Sequence, residues 1–162
     1  AVLSCADSRV PPELVFDQGL GSVFVVRVAG NVLATSTMAS LQYAVHFLKV
    51  KVLVVLGHEL CGAVKAARLP VALLQRGPRE LSETMLGLKG LIDQDRYKSV
   101  RDARTVDREA VTTNVNRQVE ALTRDEGIMA KVASRELLMV GGSYEISSGI
   151  VDFFSEVSAN ET

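Results

Sequence analysis

Histidine and cysteine are both scarce in this chain, at two each: His46 and His58, Cys5 and Cys61. So few cysteines exclude a disulfide-stapled secreted scaffold. None is needed at this length, because one domain of this size buries roughly two-thirds of the surface its unfolded chain exposes. Long apolar runs are missing too. None approaches the roughly 20 residues that span a bilayer, so no membrane association is expected. Neither sign of charge is in excess: 18 Lys and Arg against 19 Asp and Glu leave a net charge of -1. Nucleic acid, which calls for a basic face, is therefore not an expected partner, whereas small neutral or anionic substrates fit. Internal repeats, linkers and low-complexity tracts are also absent. What is present is the composition of a globular protein, 48% hydrophobic and 23% charged, and one domain over residues 1–162 accounts for it.

Three short β-rich apolar runs, residues 1–5, 23–27 and 52–57, are bounded by Gly, Pro or polar turn residues and read as buried parallel strands. Between the second and third, residues 36–48 carry Met38, Leu41, Val45 and Leu48 at helical spacing. A helix is expected from about Cys61 to Arg68, before Pro70, and a surface helix over residues 81–94. The charged stretch 97–107 reads as a loop. From Arg108 to Thr123, the stripe Val111, Val115, Val119 and Leu122 predicts an amphipathic helix. A short helix over 128–133, a fourth strand over 137–140 and a short edge strand over 150–154 complete the chain. The expectation is an α/β domain: a mostly parallel four-stranded sheet plus a short antiparallel edge strand, with helices on both faces.

Cys5 ends the first strand, and Gly57-His58-Glu59-Leu60-Cys61-Gly62 ends the third. In open α/β sheets these carboxyl ends line the crevice where ligands bind. A lone cysteine is ordinarily a small buried hydrophobe. Here both cysteines and one of the two histidines fall at neighbouring strand ends, a donor set that suits tetrahedral zinc with one position left open. Asp7 and Arg9 follow Cys5 at alternating positions, so they can face each other as a bidentate ion pair beside the metal. His46, one position off the apolar stripe of its helix, reads as structural, and Arg27 as part of an interface or scaffold ion pair.

Taken together, Cys5-Ala6-Asp7-Ser8-Arg9-Val10, Phe24-Val25-Val26-Arg27, Gly30-Asn31, Tyr43-Ala44-Val45 and Gly57-His58 through Cys61-Gly62-Ala63 resemble the successive signature blocks of β-class carbonic anhydrases. The match is dense over residues 1–67 and returns over 141–151. The resemblance implies one Zn2+ on Cys5, His58 and Cys61, with Asp7 and Arg9 as an orienting dyad at its fourth position. Phe24, Ala29, Tyr43 and Gly62 would line a small apolar pocket for carbon dioxide. The implied reaction is reversible hydration of carbon dioxide to bicarbonate and a proton through zinc-bound hydroxide, in a cytoplasmic homodimer or higher homo-oligomer.

Where some family members carry a Trp just before the first ligand and a regulatory bicarbonate site, this chain has Val2, Leu3 and Ser4, which favours the constitutively active type. The family's N-terminal helical arm, and any leader, would lie upstream of Ala1. Hydrolysis of carbonyl sulfide or carbon disulfide is the rival on the same zinc site, and a non-catalytic zinc-binding module is the rival of another class. A thiol redox protein with a Cys5–Cys61 disulfide fits less well, because it leaves His58 without a role and lacks C-x-x-C.

Overall fold

The computed structural model describes residues 1–92, 95 and 98–159. Its sheet has the order β2-β1-β3-β4-β5, from β1 (Val2–Ser4), β2 (Val25–Arg27), β3 (Val52–His58), β4 (Leu138–Glu145) and β5 (Ile150–Val157). The first four strands are parallel and β5 runs antiparallel to β4. β1 sits between β2 and β3, so the segment leaving Ser4 emerges beside the end of β3.

Side chains alternate across a strand, and the two faces are buried differently. Leu3, Leu53, Val55 and Met139 point to one face. There they meet Leu41 and Val45 of α2 (Thr35–His46), Val115, Val119 and Leu122 of α6 (Ala103–Leu122), and Ile128 and Val132 of α7 (Glu126–Ala133). Val2, Val54 and Leu56 point to the other, where Val15 of the short α1 (Pro12–Val15) and Phe16 cover them. A third cluster lies beyond the carboxyl ends of the strands. It joins Cys5 and Cys61 to Val64 and Ala67 of α3 (Gly62–Ala67), Leu74 of α4 (Val71–Leu74), Met85 and Leu88 of α5 (Arg79–Leu91), and Ala110 and Val111 of α6.

Glycine sets the spacing between α6 and the sheet. A β-carbon on Gly57 would stand 2.6 Å from Val111 Cγ1 and 2.8 Å from Val115 Cγ2, and one on Gly141 would stand 2.9 Å from Val115 Cγ1. Both glycines let the helix backbone settle close to β3 and β4.

The expected strands and long helices are present, most with boundary shifts of the usual size. Four differences go further. β4, expected over residues 137–140, continues to Glu145, its added residues paired with β5 and, as far as Tyr144, with β3. α6 starts at Ala103 rather than Arg108, because Asp102 is its N-cap: Oδ2 accepts from Thr105 N–H and from Thr105 Oγ1, each at 2.7 Å. The charges at Arg104 and Asp107 therefore belong to a helix, not a loop; Tyr97, where that loop was to begin, lies outside the described residues. The edge strand is eight residues long, paired with β4 through an irregularity at Gly141/Gly142. α5 buries Ser82, Met85 and Leu88 rather than lying wholly on the surface, and its expected end at Gln94 also lies outside the described residues. The four-residue helices α1 and α4 are too short for a periodicity to announce them.

Candidate metal centre

Cys5 follows the last residue of β1, His58 is the last residue of β3, and Cys61 is the N-cap of α3. Strand pairing places the ends of β1 and β3 side by side, and three potential metal-ligating atoms converge there, all within 4.8 Å of one another. The three side chains are buried. Cys5 Sγ and Cys61 Sγ are 3.9 Å apart; tetrahedral zinc with bonds of 2.3 Å sets its sulfurs about 3.8 Å apart. His58 Nδ1 lies 2.9 Å from the carbonyl oxygen of Glu59. A carbonyl only accepts, so Nδ1 carries the proton and the lone pair is left on Nε2. That Nε2 is buried and has no hydrogen-bond partner. An orphaned buried acceptor beside two thiols is costly unless a cation completes it. The residues fit a metal ion that accepts sulfur and nitrogen.

The thiols are electrostatically unequal. Cys5 is shifted well below an ordinary thiol, first by hydrogen bonding with Cys61 and further by the Gly30 N–H, which reaches its sulfur at 3.4 Å. The neighbouring Cys5 thiolate and burial push Cys61 up. A dication shared by the two sulfurs would remove the repulsion that pushes Cys61 up.

The surrounding backbone is held at several points. Arg9 grips Asp7 with two parallel bonds, Nε to Oδ1 at 2.9 Å and Nη2 to Oδ2 at 2.7 Å, and Nη2 also donates to the Leu60 carbonyl at 3.2 Å. The Arg9 guanidinium and N–H hold the Asp7 carboxyl far below the usual carboxylate range. Arg27 donates Nε to the Cys5 carbonyl at 2.9 Å and Nη2 to the Asp7 carbonyl. Its guanidinium thus clamps the chain that carries Cys5. Leu60, between two ligands, has a left-handed φ of 53°, a conformation that strains a residue with a β-carbon. Its N–H is fixed by Asp107 Oδ2 at 2.8 Å.

A family model described as carbonic anhydrase matches residues 1–151. This chain belongs to the β-class carbonic anhydrases. Carbonic anhydrase 2 of Mycobacterium tuberculosis is 35% identical over 160 residues, covering 91% of this chain and 70% of that one. The carbonic anhydrase of Mycolicibacterium smegmatis is 36% identical over 169 residues, 96% of this chain and 74% of that one. Among solved structures, a tetrameric β-carbonic anhydrase from Sordaria macrospora aligns with a TM-score of 0.85 at 25% identity, covering 97% of this chain and 81% of that chain.

Within this carbonic anhydrase fold the expected site residues divide into two groups. Cys5, Asp7, Arg9, His58 and Cys61 are gathered at one place, although Asp7, held by Arg9, stands outside the metal-ligating cluster. Ala29 opens the 3-10 turn Ala29–Asn31, whose Gly30 contacts Cys5, and Gly62 follows Cys61 directly. Phe24 and Tyr43 are elsewhere. Phe24 precedes Val25, which pairs with Val2, so it lies level with Ala1 at the amino end of β1, about 13 Å along the strand from Cys5. Its ring tilts against Tyr43 at 6.0 Å, and Tyr43, itself 48% exposed, stacks on Phe47 at 5.4 Å. His46 is exposed at the end of α2, apart from the metal-ligating cluster.

Sequence reasoning passed over Asp107, Asn114 and Gln118, three buried polar residues of α6. They recur at i, i+7 and i+11, the spacing of one helix face. Asp107 was read into a charged loop, and for Asn114 and Gln118 the valine stripe beside them drew the reading, since polar residues on a helix ordinarily mean water.

Among the described residues no helix is long and apolar enough to cross a membrane.

Proposed function

We propose that this β-class carbonic anhydrase binds one Zn2+ through Cys5, His58 and Cys61 and catalyses the reversible hydration of carbon dioxide to bicarbonate and a proton. The observation that carries the reading is the buried, unpartnered Nε2 of His58 aimed into a space it shares with two cysteine sulfurs. Cys5, His58 and Cys61 would hold the ion, and zinc bound there would supply a Lewis acid that lowers the pKa of a water molecule toward ~7.

The chain's own residues do the rest. An ionised carboxylate can only accept hydrogen bonds. Asp7, kept ionised by Arg9, therefore selects a partner that presents an O–H, and in accepting that hydrogen it turns the same oxygen's lone pair toward the carbon of the substrate. The bidentate grip of Arg9 fixes the carboxylate plane, and the tie from Arg9 to Leu60 locks that plane to the loop bearing His58 and Cys61. Ala29 and Gly62 offer a small wall beside the ligands, suited to a linear apolar molecule. Phe24 and Tyr43 lie too far along the sheet to line the pocket of their own chain, so we assign them to the pocket of a neighbouring subunit in a homo-oligomer. Tyr43's half-exposed ring and the tetrameric Sordaria macrospora relative support that assignment.

Stopped-flow hydration with a pH indicator tests the function, run at pH 8 on protein whose zinc content has been measured. One zinc per chain and hydration lost in Cys61→Ala are expected. Zinc-loaded protein no faster than buffer would refute it.

A further inference from the structure

α6 passes directly behind the metal centre, and its buried polar residues do not face water. Asp107, Asn114 and Gln118 are 6%, 0% and 2% exposed. Burying an amide or carboxylate costs free energy unless each polar atom is matched, so three on one helix face call for a reason. Their partners are particular. Asp107 Oδ2 accepts from the N–H of Leu60, midway along the loop between His58 and Cys61. Asn114 Nδ2 donates to the Gly30 carbonyl at 2.9 Å and lies 3.4 Å from Asn31 Oδ1. Asn114 Oδ1 accepts from Gln118 Nε2 at 3.0 Å, and Gln118 Oε1 accepts from Leu33 N–H at 2.9 Å.

The contacts of Asp107 and Asn114 end at two turns of left-handed backbone, a conformation that strains Leu60 and Asn31. Leu60 has φ 53°, and Gly30 and Asn31 have φ 72° and 44° in succession. A β-carbon on Gly30 would also stand 2.9 Å from Leu88 Cδ2. Strained turns persist only where their surroundings over-determine them. The first of these turns spaces His58 from Cys61; the second aims the Gly30 N–H at Cys5 Sγ. One rigid helix thus reaches both halves of the ligand set.

We propose that Asp107 and Asn114, the latter braced by Gln118, are positioning residues that hold the three zinc ligands in register from a single face of α6. This rests on the zinc reading above and adds to it the device that keeps the site shaped before the ion enters. Asp107 fixes the His58–Cys61 loop through the Leu60 amide. Asn114 fixes the Gly30–Asn31 turn, and with it the N–H bond that withdraws electron density from the Cys5 sulfur.

The test uses Asp107→Leu, Asn114→Leu and the conservative Asp107→Asn in the full chain, with zinc affinity measured by chelator competition. Cobalt(II) serves as a spectroscopic stand-in. Zinc affinity should fall ~10–100-fold in each leucine variant, the range seen when groups behind metal ligands are removed, and thiolate-to-cobalt absorption should shift or weaken. Asp107→Asn, which keeps an acceptor oxygen, should recover most of the affinity. A purely architectural role would lower stability without moving the cobalt spectrum of the folded protein. Leucine variants that fold and match wild type in affinity and spectrum overturn the proposal alone. Wild-type protein without thiolate-to-cobalt absorption overturns the zinc reading as well. A third measurement needs no variant: in metal-free wild type, the Leu60 and Gly30 amides should exchange with solvent slowly. Exchange at the rate of an open loop overturns the proposal even if the leucine variants fail to fold.

Discussion

Arg9 Nη2 donates to two acceptors at once, the Oδ2 of Asp7 at 2.7 Å and the carbonyl of Leu60 at 3.2 Å. One planar group therefore ties Asp7, two places beyond Cys5, to the loop that carries His58 and Cys61. Lysine cannot reproduce this, because an ammonium is a point donor without the fork that matches a carboxylate. Arg9→Lys should keep its zinc and lose roughly 100-fold in kcat/KM, the scale on which misplacing a catalytic group by an ångström acts. Steady-state hydration with metal analysis on the same sample checks this. Activity within threefold of wild type would remove Asp7 orientation from the mechanism.

Tyr43 gives a separate check on how the pocket is completed. It stacks on Phe47 and tilts against Phe24 at the amino end of the sheet, far from its own metal centre. If it serves a neighbouring subunit, Tyr43→Ala should raise KM or lower kcat about tenfold while zinc content and subunit folding stay the same. Subunit mixing sharpens the result: a zinc-site-dead Cys61→Ala chain with an intact Tyr43 should restore activity to Tyr43→Ala chains in mixed oligomers. No restoration, in oligomers confirmed to be mixed, would place the tyrosine's effect within its own chain.

Much of this was legible in the sequence because of where chemistry falls along a strand. Cys5 and His58 stand at the ends of apolar β-rich runs, and the parallel arrangement that such runs imply brings those ends together. Arg9 two residues after Asp7 was readable for the same reason, as a period-two relationship. Asn114 and Gln118 were not. Their neighbours Val111, Val115 and Val119 already explained one buried face of α6, and only the third cluster, packed beyond the strand ends, makes the adjoining face interior too. The placement of Phe24 and Tyr43 was also hidden, since a signature block says which residues recur together and not which chain's site they enter. The early start of α6 rested on one capping bond, Asp102 to Thr105, inside a run whose charges looked like solvent-exposed loop.

Gly57 tests the packing behind the centre. Its absent β-carbon would meet Val111 Cγ1 at 2.6 Å and Val115 Cγ2 at 2.8 Å, and both are branched side chains with little freedom to turn aside in a helix. Gly57→Ala should therefore push α6 away from β3 and destabilise the fold by about 1–3 kcal/mol, the usual cost of overpacking a full core. Urea unfolding of the zinc-loaded protein reads the change as a lower midpoint at constant slope. An unchanged midpoint would mean that α6 is free to shift, and the close approach would then carry no energetic weight.

Acid should weaken the fold in a defined direction. Thr105 holds the Asp102 carboxyl below its ordinary range through hydrogen bonds from its hydroxyl and N–H, and Arg117 and Arg124 do the same for Glu120. Arg9 does so most strongly for Asp7. In each case the folded state refuses a proton that the unfolded chain accepts near pH 4. Between the unfolded value and the lower folded one, unfolding takes up protons, so stability falls as pH drops and the loss is complete only below the folded values. Zinc release would add its own acid dependence, so the measurement belongs on metal-free protein. Urea midpoints at pH 6, 4 and 3 should change little over the first interval and clearly over the second. Asp102→Asn should be less stable at pH 6 and should narrow its gap from wild type at pH 3. A gap that stays constant with pH would show that the Asp102 cap owes nothing to its charge.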